Sequence, residues 1–205
     1  MAVALNANAL ITLAELDLIL GITIGDADIS NTLINFASDF IENYVGMDLN
    51  SQTYTGVFFD GTGNKDLFLE QFPIVSITSI DQWDTYNNVS SQSYTINTDF
   101  LIYDNEGIIY NRNGWVGGRK NYKITYVAGY VDIPYDVKTA CAQLAGWLHS
   151  QPMSAGIKSE KIGTYSITYA GSSAESVMIN GLAIPAGILS LLVGYKKQRV
   201  TGRLN

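Results

Sequence analysis

The spacing of apolar residues changes three times along this chain, and each change marks a different kind of element. Leu13, Leu16, Ile19 and Leu20 recur at helical spacing behind Thr12-Leu-Ala-Glu15, where a hydroxyl and a carboxylate three residues apart predict a capping box. Gly21 ends this short helix, 12–20. A broader stripe (Ile29, Leu33, Phe36, Ala37, Phe40, Ile41, Tyr44) predicts a second helix over 28–45, capped by Asp28 and closed by Gly46. Between Thr53 and Tyr130 the chain turns rich in Tyr, Thr, Val, Ile and Phe, with strands expected at 53–59, 65–70, 74–83, 93–96, 99–103, 107–110 and 121–127. Asp60-Gly61-Thr62-Gly63-Asn64, Asn87-Asn88, Asp104-Asn105-Glu106-Gly107 and Asn113-Gly114 punctuate them with turn chemistry. Strands this short, broken this often, form antiparallel hairpins rather than parallel βαβ units.

The third change is the sharpest. Tyr122, Ile124 and Tyr126 alternate with Lys123 and Thr125 as in a half-buried strand, and Ala128-Gly129 breaks the alternation. Pro134 suits a first helical position. Val137, Cys141, Leu144 and Leu148 then fall at i, i+4, i+7 and i+11, widened by Ala140 and Trp147, a helix over 134–150 with Asp136 in its first turn. Beyond it, Tyr165 to Tyr169 reads as one strand, 171–180 as a Gly/Ser-rich arm, and 186–197 as a last helix started by Pro185, with Ile188, Leu191, Leu192 and Tyr195 on its face. The fold class is therefore α+β: a helical bundle (1–52 and 131–205) with an antiparallel β module (53–130) inserted between its second and third main helices.

Charge sharpens this picture. Of 205 residues, 47% are hydrophobic and 15% charged, the balance of a folded chain. Residues 1–106 hold 15 acids and one base, Lys65, a net of −14; residues 107–205 hold 4 acids and 11 bases, a net of +7. Such asymmetry bears on association, and copies meeting acidic side to basic side would make a heterologous contact able to close a ring. The amino terminus is apolar, but it has no Lys or Arg before its apolar run, and Asn6, Asn8, Glu15 and Asp17 interrupt it, so no signal peptide or membrane span is expected.

Candidate chemistry is sparse. The single cysteine, Cys141, excludes an internal disulfide, and the single histidine, His149, excludes multi-His metal sites. The two stand eight residues apart on one helix, about 12 Å along its axis, too far for a nucleophile–base pair. Gly61-x-Gly63-x-Lys65 precedes a strand, not the helix a P-loop needs. As a calcium loop, Asp60 to Gln71 has Lys65 where Gly belongs and Gln71 where Glu belongs. A hairpin turn is the expected reading of that loop. No Gly-x-Ser-x-Gly elbow occurs. No catalytic residue, metal or cofactor is expected, and the tail (Lys196, Lys197, Arg199, Arg203) is the one cluster of bases legible in the sequence.

Several motifs occur in a telling order. They are Tyr54-x4-Phe59-Asp60-Gly61-x-Gly63, Leu67-Phe68-Leu69-x3-Pro73-Ile74-x-Ser76-Ile77, Gly107-Ile108-Ile109 and Thr125-Tyr126-x-Ala128-Gly129-Tyr130. The Ile133-Pro134 helix start, Ser159-Glu160-x-Ile162-Gly163-x-Tyr165-Ser166-x-Thr168-Tyr169 and a Pro-started final helix with a basic end follow. Over roughly residues 10–200 the set resembles the head–tail connector (head-completion or adaptor) proteins of tailed bacteriophages. The resemblance implies a non-enzymatic virion protein that assembles in the host cytoplasm into a ring, usually a dodecamer, beneath the portal. Such a ring extends the DNA channel without binding DNA specifically and receives a downstream tail-completion or stopper protein. It also implies portal docking by the carboxy-terminal segment, here Ile188, Leu191, Leu192, Tyr195, Lys196, Lys197, Arg199 and Arg203. The rival reading is a secreted or cell-surface β-rich module that binds carbohydrate or protein, against which stand the absent leader and the helical hairpin.

Overall fold

The computed structural model describes residues 2–22, 24–84, 87, 89–150, 159–162, 165–168, 176–179 and 181–197. It is α+β with antiparallel sheets, and it divides into two compact units: residues 1–46 with 134–205, and Met47–Ile133.

In the first unit α1 (Leu13–Leu20) begins as its spacing predicts: Glu15 N–H donates to the Thr12 hydroxyl, and Thr12 N–H donates back to the Glu15 carboxylate. Gly21 closes it in the left-handed region, φ 67°. For α2 (Ala27–Val45) the cap is Asp26, not the expected Asp28. Asp26 has extended backbone and accepts from both Asp28 N–H and Ile29 N–H, while Asp28 is already in the first turn. Residues 3–10 run along α2, with a turn at Ala7-Asn8 closed by Ala9 N–H donating to Asn6 C=O at 3.1 Å. Asn31 and Asn35 side chains donate to the carbonyls of Val3 and Ala4, Asn6 N–H donates to Asn35, and Leu10 N–H to the Ser38 hydroxyl.

Helix α3 (Tyr135–Ser150) follows Pro134. It packs on α1, α2 and α4, burying Val137, Ala140, Cys141 and Leu144 while α2 buries Ile34, Ala37, Ile41 and Val45. Apolar burial of this kind is worth about 25 cal/mol per Å² of surface removed from water. Two hairpins complete the unit: β8 (Ser159–Ile162) with β9 (Tyr165–Thr168), and β10 (Ser176–Ile179) with β11 (Leu182–Pro185). Of these only β9 is expected from the sequence, and the end of the expected arm is strand instead.

The last helix is also shorter than expected. α4 spans only Ala186–Ser190, and after a turn Val193–Tyr195 forms a 3₁₀ turn. The reason is local: Gly187 and Gly194 lower helix propensity and no side chain caps the start.

The second unit holds two antiparallel sheets. One is ordered β1-β7-β3-β4, from β1 (Gln52–Gly61), β3 (Ile74–Asp84), β4 (Val89–Tyr94) and β7 (Gly118–Ala128); the other is β2-β6-β5, from β2 (Asp66–Phe68), β5 (Phe100–Tyr103) and β6 (Ile108–Asn111). Their inner faces bury one cluster in which Trp115, Tyr122 and Tyr126 are the largest members, with Leu67, Ile80, Ile109 and Ile124. Alternation along β7 is strict, with Tyr122, Ile124, Tyr126 and Ala128 inside and Lys123, Thr125 and Val127 half-exposed. Gly129 then takes φ 106°, as the broken alternation predicts.

Candidate assembly surfaces

Enzymatic chemistry has no constellation to rest on among the described residues. Cys141 is fully buried on α3, burial pushes its thiol up to about 12, and the Ser38 hydroxyl lies 3.7 Å from its sulfur. His149 lies exposed near the end of α3. No group of three His, Cys, Asp or Glu among the described residues converges on a metal position. Asp99, Phe100, Leu101, Tyr110 and Arg112 line a shallow cleft of about 250 Å³, in which Asp99 already accepts Thr95 N–H at 2.8 Å.

The loop from Asp60 to Asp66 is not a hairpin turn. β1 pairs with β7, and β2 with β6, so the loop carries the chain from one sheet to the other. Its route is fixed by a second segment, 111–121, which runs from the end of β6 through a loop into the first residues of β7. Trp115 N–H donates to Asn64 C=O at 2.7 Å and Asn111 N–H to Lys65 C=O at 2.8 Å. Lys120 N–H donates to Asp60 Oδ1, and Gly61 N–H to Asn121 Oδ1, each at 2.7 Å. Trp115 is the peg: 1% exposed, its indole N–H donates to Ile109 C=O at 3.0 Å, and its ring meets Tyr122 edge-on at 5.1 Å. A Cβ on Gly61 would lie 1.9 Å from Val116 O, so only glycine allows the two loops to interlock.

Lys65, Arg112, Arg119 and Lys120, all exposed, lie on or next to these two bonded segments. Four of the unit's five bases lie in segments 60–66 and 111–121, which hold only Asp60 and Asp66 as acids, although the unit as a whole has ten acids. Lys120 sits at φ 48°, a conformation that few non-glycine residues adopt, held by its bond to Asp60. Among the described residues no ion pair engages these four cations; the pair described is Lys138–Glu15.

The expected docking segment is partly committed within its own unit. Ile188 and Leu192 are buried, Leu191 and Tyr195 half-buried. Lys196 lies over the Tyr44 ring at 4.5 Å, and Lys197 N–H donates to Val45 C=O at 2.9 Å. Arg199 and Arg203 fall outside the described residues.

A family model described as head completion protein matches residues 9–198. The chain belongs to the head completion protein family. The match supports a structural role at the head–tail connector. Three solved structures share its fold at 16% sequence identity, each covering 98% of this chain and 97% of the other. They are the neck of an empty GTA particle computed with C6 symmetry (TM-score 0.60), the virion of a native gene transfer agent particle (0.58) and the neck of a native GTA particle computed with C12 symmetry (0.56). No curated protein matches the chain.

In this head completion protein the two-loop basic cluster is invisible to sequence reading. Lys65 stands almost fifty positions from Arg112, and a lone Lys in an acidic half carries no signal. The glycine pairs around both loops were the available hint, since close backbone approach needs them.

Proposed function

We propose that this head completion protein forms a ring, a dodecamer, at the head–tail interface of the virion. It sits beneath the portal, extends the DNA channel and offers the platform on which a tail-completion or stopper protein seats. The observation that carries the reading is the family match from residue 9 to residue 198 together with the shared fold over 98% of the chain. The solved necks with six-fold and twelve-fold computed symmetry support cyclic assembly. Its net charge of −7 suits a conduit that phosphate must pass without sticking, since affinity for DNA comes largely from basic neutralisation. The β module of the second unit enlarges the ring or faces neck partners, and the carboxy-terminal bases (Lys196, Lys197, Arg199, Arg203) dock on the portal. Catalysis has no part in this role, and assembly takes place in the host cytoplasm.

Cryo-electron microscopy of purified particles tests the reading directly. A twelve-fold ring of this chain between portal and tail is expected. Its location elsewhere in the particle, or as isolated single copies, would refute it.

A further inference from the structure

We infer that the outer face of the β2-β6-β5 sheet is the apolar centre of a subunit interface, and that its occupant is the N-terminal half of α2 from an adjacent copy. The inference rests on the ring reading and locates one of its contacts. Register fixes which side chains share that face: Phe68, Ile108 and Tyr103 form one row across the three strands, and Asp66, Tyr110 and Leu101 the next. Only Asp66 among the six is charged. The other face of the same strands puts Leu67, Ile109 and Phe100 into the core. Strands apolar on both faces belong to a sheet that is covered on both sides. Here Ile108 and Tyr110, on the middle strand, are half-buried, while Phe68, Leu101 and Tyr103 are 41%, 48% and 46% exposed. A cluster of large apolar side chains left this open marks a contact surface.

The first half of α2 carries the matching surface. Ile29, Leu33 and Phe36 recur at i, i+4 and i+7 and so share one side of the helix. Ile29 and Phe36 are 47% and 45% exposed, and Leu33 is half-buried. A flat apolar sheet face and a single apolar helix stripe each need a layer on the other side, and helix on sheet is the packing that supplies both. Charge agrees with the apolar fit. Arg112 shares the shallow cleft with Leu101 and Tyr110 at the edge of the sheet face, and the exposed Asp26 stands one turn before Ile29. The chain's own Lys196 and Lys197 engage Tyr44 and Val45, roughly 20 Å further along α2 than Ile29, so they serve the opposite end of the helix. The two surfaces differ, as a cyclic ring requires: each copy gives its sheet face to one neighbour and its helix stripe to the other. An apolar centre with charges at its rim is the usual anatomy of a stable interface.

Photo-cross-linking in assembled necks decides the occupant. Light protein carrying p-benzoylphenylalanine in place of Phe68 or Tyr103, mixed with isotopically heavy wild type before assembly, should capture residues 26–39 of this chain in peptide pairs of unlike label. The variant F68K/Y103K, folded by circular dichroism, should enter necks at least about tenfold less well than wild type. I29E/F36E should show the same loss, and the two sets combined should regain incorporation to within roughly threefold. Captures confined to peptides of the same label would overturn the inference and leave the ring in place. So would captures on portal or tail protein, normal incorporation of F68K/Y103K, or no gain from combining the two sets. Wild-type particles without any ring are a distinct outcome, which would remove the ring reading and this inference with it.

Discussion

Lys196 holds its ammonium group 4.5 Å from the centroid of the Tyr44 ring, so the carboxy-terminal segment is fastened to the end of α2 before any partner arrives. The next residue completes the contact, with Lys197 N–H donating to Val45 C=O, a carbonyl near the helix end where intrahelical partners run out. The segment is therefore an ordered extension of its own unit up to Lys197, not a free tail from Tyr195 onwards.

Truncation after Val193 should leave a folded protein that fails to join portal-bearing heads, giving DNA-filled heads without tails or heads that leak. Removing the Lys196 and Lys197 contacts should cost about 1 kcal/mol, the scale of a surface cation–π contact plus one hydrogen bond. Thermal melting and electron microscopy of the resulting particles check the two parts. Infectious, tailed particles from the truncated chain would end the docking reading of the basic tail.

Glu15 and Lys138 tie α1 to α3 through a 2.6 Å ion pair whose side chains are 33% and 24% exposed. The hydrogen bond from Lys138, then that from Thr12 N–H, holds the Glu15 carboxyl below its ordinary 4.5. A carboxyl lowered on folding contributes stability above its unfolded value, and that contribution disappears as pH falls through the lower folded value. Stability of the wild type should thus decline below about pH 4.5 more steeply than that of Glu15→Gln. At pH 7 the variant should be weaker by at most about 1 kcal/mol, because solvent screens a pair this exposed. Urea titrations at pH 3.5, 4.5 and 7 distinguish these slopes.

Cys141 should resist alkylation in the native protein at pH 8, because it is buried and its thiol is pushed up to about 12. Reaction with a thiol reagent should appear only in denaturant. Cys141→Ala should fold and assemble, with roughly 1 kcal/mol lost to packing. Rapid native labelling would show that α3 is open at this point.

Gly129→Ala should destabilise the second unit by about 1–3 kcal/mol. At φ 106° an added Cβ would lie 2.4 Å from Asn50 O, so strain and clash act together. Gly181→Ala, at φ 84° with nothing within 4 Å, meets the strain without the clash and should cost less. Paired melting curves give the comparison.

Local chemistry alone determined much of this protein. The capping box at Thr12 and Glu15, the αL glycines at 21 and 46, the alternation of β7 and the stripe of α3 each depend on neighbours within a few positions, and each is present in the structure. The ordered motifs carried the family resemblance as well. Where two local options competed, the outcome needed geometry: Asp26 takes the cap from Asp28 because its backbone is extended while Asp28 is helical. Asp60 to Asp66 has the composition of a hairpin turn, yet pairing of β1 with β7 and of β2 with β6 makes it a bridge between sheets. The bonding of segment 60–66 to segment 111–121 is the furthest from sequence: Trp115 N–H to Asn64 C=O and Lys120 N–H to Asp60 join stretches about fifty positions apart, and charge patterns read along a chain do not register bases carried on segments joined across a fold.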